Sequence, residues 1–272
     1  MTRIDVSDLA AMLREAARAE ILPRFRRLGA DDIRIKTSAI DLVTEADIEA
    51  EIAIKAAIAL RWPEALVVGE ESVAADPPLL HRLTEVDLAV TLDPVDGTAN
   101  FAAGLPLYAV MASVVVRGET VAGIIYDPMG DDWVIAERGA GAWLRRPDGA
   151  SQRLRVRPSS ALADMIGHVS LAFLPPDMRP RVLANLDRIR IAANYRVAGH
   201  DYRTFASGHA DFVLFNKLMP WDHLPGALIA QEAGGHVARF DGSDYRPGHL
   251  DGGLLIATDR DSWELVRRDI IG

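Results

Sequence analysis

The chain has 272 residues, 49% apolar and 25% charged, which is ample for a sizeable core and excludes disorder as its main state. It has no cysteine, so disulfides, cysteine-ligated zinc, iron–sulfur clusters and a thiol nucleophile are all excluded. A net charge of −9 argues against an electrostatic nucleic-acid binder, which needs a basic footprint.

The N-terminus carries Arg3, Asp5, Asp8, Arg14 and Glu15, so no apolar signal core forms, and a soluble cytoplasmic protein is expected. Leu9, Met12, Leu13, Ala16, Ile21 and Phe25 recur at helical spacing and predict a helix over 5–25, ended by Pro23 and Gly29. A second helix is predicted over 44–60, with Ile48, Ile52, Ile58 and Leu60 on its apolar side and Trp62-Pro63 as the stop. Strands are predicted over 65–68 and 88–92, then over 109–116 and 120–126, with a hairpin at Arg117-Gly118-Glu119. Segments 132–137 and 141–144 continue this sheet. The uncharged run 97–116 is 20 residues long, which matches a membrane span in length. It holds Gly97, Thr98, Asn100, Gly104, Pro106 and Tyr108 and ends in three valines, so it reads as a loop and then a buried strand, with no membrane contact expected.

The first half is thus an α+β pattern. In the second half, helical stretches at 178–190, 200–208 and 222–234 alternate with strands at 212–215 and 253–257, an α/β pattern. The polar, basic stretch 148–160 separates them, giving lobes 1–147 and 148–272 of one compact unit.

Acidic residues gather at four places. Asp93-Pro94-Val95-Asp96-Gly97-Thr98 follows an apolar strand. Two carboxylates around this turn can converge on a hard cation, with the Val95 carbonyl adding an oxygen; the same spacing also suits an ordinary Asx turn. Gly97 permits close backbone approach, and the N–H groups after it can hold a phosphate oxygen. Gly69-Glu70-Glu71-Ser72 leaves another apolar strand, as a solvated loop or as ligands. Trp221-Asp222 opens a helix closed by Gly234-Gly235, where Asp222 suits an N-cap. Thr44 with Asp47 resembles a capping box. A cap residue can also face a site. No H-E-x-x-H, P-loop or G-x-S-x-G motif is present.

Taken together, K-T-S-A-I-D-L-V-T-E-A-D (36–47), G-E-E-S (69–72), D-P-V-D-G-T-A-N-F (93–101) and W-D-H-L-P-G-A-L-I-A-Q-E-A-G-G (221–235) resemble the inositol monophosphatase family of Mg²⁺-dependent, lithium-sensitive phosphatases. The resemblance implies a layered αβαβα sandwich of the inositol monophosphatase and fructose-1,6-bisphosphatase type, usually a homodimer. It implies two or three Mg²⁺ ions held by Glu70, Asp93, Asp96, Asp222 and the Val95 carbonyl. It also implies a water-activating Thr98 supported by Asp47, with Glu70 sharing the proton work, and a small phosphate monoester as substrate. Gly97 and Thr98 would hold the phosphate, flanked by Asp96 and Asp222, and Lys36 would add positive charge. Inositol 1-phosphate is the default substrate; histidinol phosphate, a 3′-phosphoadenosine nucleotide and a sugar phosphate are alternatives. A non-catalytic interaction protein on the same fold is the alternative of another class.

The chain also departs from the family. Gly199-His200-Asp201-Tyr202 stands where many members have a small pair followed by alanines, and Phe215 stands where inositol-selective members carry Glu. An aromatic ring cannot accept hydrogen bonds from sugar hydroxyls. Gly199, His200 and Phe215 are therefore expected to form an altered substrate wall that favours a flat or heteroaromatic ester.

Overall fold

The computed structural model describes residues 4–29, 32–36 and 42–272, so the stretch 37–41 of the first motif lies outside the described residues. In chain order the elements are α1 (Val6–Ala16), β1 (Ile33–Ile35), β2 (Leu42–Thr44), α2 (Glu45–Arg61), β3 (Leu66–Gly69), α3 (Glu70–Ala75) and α4 (Leu79–Arg82). Next come β4 (Leu88–Asp96), α5 (Thr98–Ala102), β5 (Ala109–Val116), β6 (Glu119–Asp127), β7 (Asp132–Glu137), β8 (Gly141–Arg145) and β9 (Ser151–Arg153). The remainder is β10 (Ile166–Val169), α6 (Arg179–Asn185), β11 (Ile191–Ala193), α7 (Ala198–Ala206), β12 (Phe212–Phe215), α8 (Pro220–Glu232), β13 (His236–Arg239), β14 (Leu254–Ala257) and α9 (Arg260–Val266).

A seven-stranded sheet runs in the order β3-β4-β5-β6-β7-β8-β9, and a five-stranded sheet in the order β11-β10-β12-β14-β13. Alternation along the strands sorts the layers. Val90, Leu92, Val110, Ala112, Ile124 and Tyr126 face α1 and α2. Ala109, Met111, Ile125 and Val134 face the other way, onto α7 and α8. Those helices also cover Val213, Phe215 and Ile256 of the second sheet, whose outer face packs Phe212, Leu214 and Leu255 on α9. The result is the expected α/β/α/β/α sandwich. The site lies where α8, buried on both sides, meets the end of β4.

Boundaries differ from the sequence pattern where local chemistry intervenes. The first helix is capped by Asp5, whose carboxylate accepts the Ser7 and Asp8 N–H groups, and it ends in a π-helical turn at Ala17–Ile21 rather than continuing to residue 25. β9 still pairs with β8, so the first sheet extends past residue 147 to Arg153. The 97–116 run opens with a short helix, α5, before its buried strand. The Arg117-Gly118 hairpin forms with both residues at positive φ (50° and 75°), the two-residue turn whose twist suits paired strands. Among the described residues no helix is long and apolar enough to cross a membrane.

Candidate active site

The end of β4 is bent on purpose. Asp93 pairs with Met111 and Asp96 with Ala109, so one extra residue sits on β4 and forms a bulge that re-aims its side chains. Asp93 Oδ1 accepts the Val95 N–H at 3.0 Å. The Asx turn and the converging acids are thus one structure. Gly97 (φ 89°) then turns the chain into α5, and a Cβ there would come within 3.2 Å of the Leu107 carbonyl. Only glycine fits both demands.

Glu70, Asp93 and Asp222 meet at this point, each with a carboxylate oxygen within 4.8 Å of the others'. They come from α3, β4 and α8. Asp222 does not cap its helix: Met219 holds the N-cap position, and Asp222 sits in the first turn facing the cavity. Asp93 and Asp222 share a hydrogen bond, which two carboxyls can do only when one keeps a proton. Burial, then Glu70 and Asp222, hold Asp93 well above the usual carboxylate range. Burial and Glu70 push Asp222 up to about 7. Buried carboxyls that raise one another in this way are short of positive charge. The cluster's donors are all hard oxygens, the set that suits a divalent cation such as Mg²⁺.

Asp96 stands slightly apart. Its oxygens accept the Ala198 N–H (3.1 Å) and the Gly199 N–H at the start of α7. Burial and Asp222 raise it, and these two N–H groups pull it back. A Cβ on Gly199 would lie 3.0 Å from Asp96 Oδ2, so Gly199 is needed for this contact.

Thr98 Oγ1 lies 3.0 Å from both Asp47 Oδ1 and the Val95 carbonyl. The other Asp47 oxygen accepts the Thr44 N–H at 2.8 Å and the Thr44 hydroxyl, completing the capping box. One carboxylate therefore starts α2 and reaches the site. Burial pushes Asp47 up to about 6. Lys36 bridges Glu70 (2.9 Å) and Glu71. Burial disfavours its charge, but the two carboxylates hold it above the usual lysine range. Burial and Glu70 push Glu71 up to about 7.

The cavity above these groups measures about 680 Å³. Phe215 lines it but is only 5% exposed, packed on Tyr202 and on His223, whose ring centroid is 4.5 Å away. The more open aromatic is Phe173, 45% exposed on the same cavity. His200 does not line the cavity. Its ring turns toward the Tyr108 carbonyl (3.2 Å), so the structure removes it from the altered wall and leaves Asp201 there.

Several residues escaped the sequence reading. Glu51 is buried and accepts the Glu71 and Ser72 N–H groups (2.8 Å each) and the Ser72 hydroxyl, which aims Glu70 and Glu71. Its signal was there to read: it follows Asp47 by four residues, on the same helical face. Phe173, Arg179, Arg196 and Lys217 carry no local motif; the fold alone gathers them at the cavity.

The inositol monophosphatase family model matches residues 5–270. The chain is 32% identical to the protein named Nus factor SuhB of Vibrio cholerae serotype O1, over 80% of this chain and 78% of that one. It is 29% identical to the fructose-1,6-bisphosphatase/inositol-1-monophosphatase of Thermotoga maritima, over 79% and 77%. Among solved structures, the Thermotoga maritima IMPase TM1415 superposes with a TM-score of 0.80 at 25% identity, covering 100% of this chain and 96% of that one. The extragenic suppressor protein suhB of Bartonella henselae does so with a TM-score of 0.80 at 26% identity, covering 97% and 98%. Motif order, layer order and this match over almost the whole length agree, and the chain belongs to the inositol monophosphatase family.

Proposed function

We propose that this protein is a Mg²⁺-dependent phosphomonoester hydrolase. The observation that carries the reading is the Thr98 hydroxyl, set between a buried carboxylate and a carbonyl beside three converging acids. Glu70, Asp93, Asp222 and the Val95 carbonyl, with Asp96, would hold two or three Mg²⁺ ions. Bound Mg²⁺ lowers the pKa of water and stabilises the oxygen that leaves. The remaining work belongs to the chain. A hydroxyl has one proton, so Thr98 donates either to Asp47 or to Val95. Ionised Asp47 draws that proton, which frees the carbonyl and leaves the Thr98 lone pairs to accept a hydrogen bond from water. Glu70 shares the proton, and Gly97 and Thr98 N–H groups hold the phosphate.

The test is phosphate release, with and without Mg²⁺, from inositol 1-phosphate, histidinol phosphate, a 3′-phosphoadenosine nucleotide and a sugar phosphate, with Li⁺ as the expected inhibitor. Inositol 1-phosphate is expected to be cleaved without being the best substrate. Phe215→Glu is a poor probe of this wall, because it would bury a carboxylate against His223; Phe173→Ala probes it in the open. The relatives named Nus factors favour a second reading, in which the chain acts by association and not by turnover. No release from any ester would support that one. The same names reopen the expectation that nucleic acid has no part in its partnerships. A homodimer and a cytoplasmic location remain part of the proposal.

Thr98→Ala is expected to lower kcat by about 10²-fold while changing the Mg²⁺ affinity less than about threefold, because its hydroxyl faces water and not the ion. Calorimetric Mg²⁺ titration beside the kinetics checks this; weak Mg²⁺ binding with normal kcat would reverse the assignment.

The raised carboxyls also predict a pH dependence. Each holds its proton more tightly in the folded chain than in the unfolded one, where Asp titrates near 3.8. Their contribution to stability is therefore complete below that value and is lost as pH rises through about 6 for Asp47 and about 7 for Asp222. Mg²⁺ binds the deprotonated oxygens and replaces those protons. The gain in Tm on adding Mg²⁺ should be larger at about pH 8 than at about pH 5 by scanning fluorimetry. An equal gain at both would contradict the site.

A further inference from the structure

We propose that the outer face of the β8–β9 hairpin is a binding platform for single-stranded nucleic acid. The proposal does not rest on the phosphatase reading. It concerns the far end of α8 from Asp222, ~15 Å along that helix, and the side of the first sheet that α7 and α8 do not cover.

Segment 145–157 holds five arginines and one acid, Asp148, in a chain whose net charge is −9. The charge of the whole chain therefore hides a local basic footprint of the kind a phosphate backbone needs. Asp148 is occupied: it accepts the Ala150 N–H at 2.9 Å and closes the hairpin turn. Glu137, at the end of β7, is already engaged, and Glu119 lies 3.8 Å from Arg138. Among the described residues, the side chains of Arg145, Arg146 and Arg155 form no ion pair and no hydrogen bond. Arg146 and Arg155 are exposed.

Strand register sets an aromatic ring among these charges. Trp143 pairs with Ile135 on β7 and with Arg153 on β9, and Arg145 pairs with Trp133 and Ser151. Residues opposite one another in a ladder share a face, and Trp133 and Ile135 belong to the side packed by α1 and α2. Trp143, Arg145 and Arg153 therefore lie on that side, at the outer edge of the sheet, where Trp143 and Arg145 are half-buried and Arg153 is exposed. Leu144, Leu154 and Val156 turn the other way, onto the core around α7 and α8.

The platform is held in place. The Trp143 indole N–H donates to the Ala140 carbonyl at 3.0 Å, and the Arg153 guanidinium lies 5.9 Å from the ring. The Gly139 and Gly141 N–H groups donate to Glu232, the last residue of α8, at 2.7 and 2.8 Å. A fixed indole among guanidinium groups offers a π-face to a base and charge to the phosphates beside it. Single strands are bound in this way, by aromatic stacking with a cationic track for the backbone. An acidic peptide would use the charge and leave the ring idle, and a duplex keeps its base faces stacked inside.

The experiment titrates the full chain into fluorescein-labelled oligo-U and oligo-dT of about 12 nucleotides, without terminal phosphates, and reads anisotropy. Both should bind, and neutralising three or four phosphates should weaken binding roughly twenty- to fiftyfold between about 50 and about 200 mM KCl. W143L should lose at least about fivefold in affinity. R146Q/R155Q alters two exposed, unpaired side chains, so it keeps the fold if W143L does not; its salt slope should be shallower by about 1.4. Thermal melts confirm folding. A peptide nucleic acid of the same bases lacks phosphates and should not bind. Failure of the wild type to bind either oligonucleotide below about 100 μM at low salt would overturn the platform. Unchanged binding in both variants, or displacement by poly-glutamate at equal charge, would also overturn it, the latter in favour of an acidic polypeptide. The readout is binding alone, so it stands whatever the phosphate-release assay returns.

Discussion

Asp93→Asn is expected to lower kcat for phosphate release by about 10²-fold or more while the protein stays folded. Asp93 stands at the centre of the acid cluster, next to Glu70 and Asp222, and its Oδ1 accepts the Val95 N–H that shapes the bulge. An asparagine keeps an oxygen for that N–H. Its amide can also donate to Asp222, its neighbour in the cluster. The fold therefore loses little, and a repelling acid is removed from a buried cluster. The negative charge that would bind both metals is lost, and with it the field that stabilises charge in the transition state. The checks are kcat, a calorimetric Mg²⁺ titration and a thermal melt. A variant retaining more than about a tenth of wild-type kcat, or one that fails to fold, would contradict this account.

Gly123→Ala should cost roughly 1–3 kcal/mol of stability, a drop of several degrees in Tm, and should also reduce activity. Gly123 lies on β6, beneath α8. A Cβ there would come within 2.5 Å of the Pro225 carbonyl and 2.8 Å of its Cα. Both are backbone atoms, so no side chain can rotate away, and α8 must lift. Pro225 follows Asp222 by less than one turn, so the shift reaches the acid cluster directly. Displacements on the order of 1 Å cost ~10²-fold in well-aligned sites. Gly29→Ala is the control, because its Cβ meets nothing closer than 3.5 Å. Melts and kinetics of both variants test the point. A Gly123→Ala protein with wild-type Tm and kcat would show that α8 tolerates the displacement.

The two variants probe different kinds of information. Asp93 announces itself in the sequence, because an Asp-Pro-x-Asp-Gly-Thr turn after an apolar strand is local chemistry. Gly123 does not. It sits in an ordinary strand pattern, and its need for zero side chain arises from a helix that begins almost a hundred positions later. His200 shows the converse. The Gly199 N–H donates to Asp96 and Asp201 lines the cavity, while the helical turn carries His200 round to Tyr108. Phe215 shows a third case, a wall residue whose ring is largely taken up by packing on Tyr202 and His223.

The sequence by itself determined most of the periodic core, the Arg117-Gly118 hairpin, the Thr44–Asp47 box and the four acidic motifs, but on α2 it placed Ile52 and Leu60 on the apolar side, where the fold leaves them 56% and 89% exposed. Each rests on neighbours within a few residues, where backbone preference and side-chain period act directly. The tertiary structure alone decided that Glu51 aims the Glu70-Glu71 pair, that Asp222 faces Asp93 and does not cap its helix, and that Arg179, Arg196 and Lys217 share a cavity with them. These depend on how two sheets stack on α7 and α8. That stacking follows from the burial of whole faces, a summed, non-directional force that no single stretch of chain records.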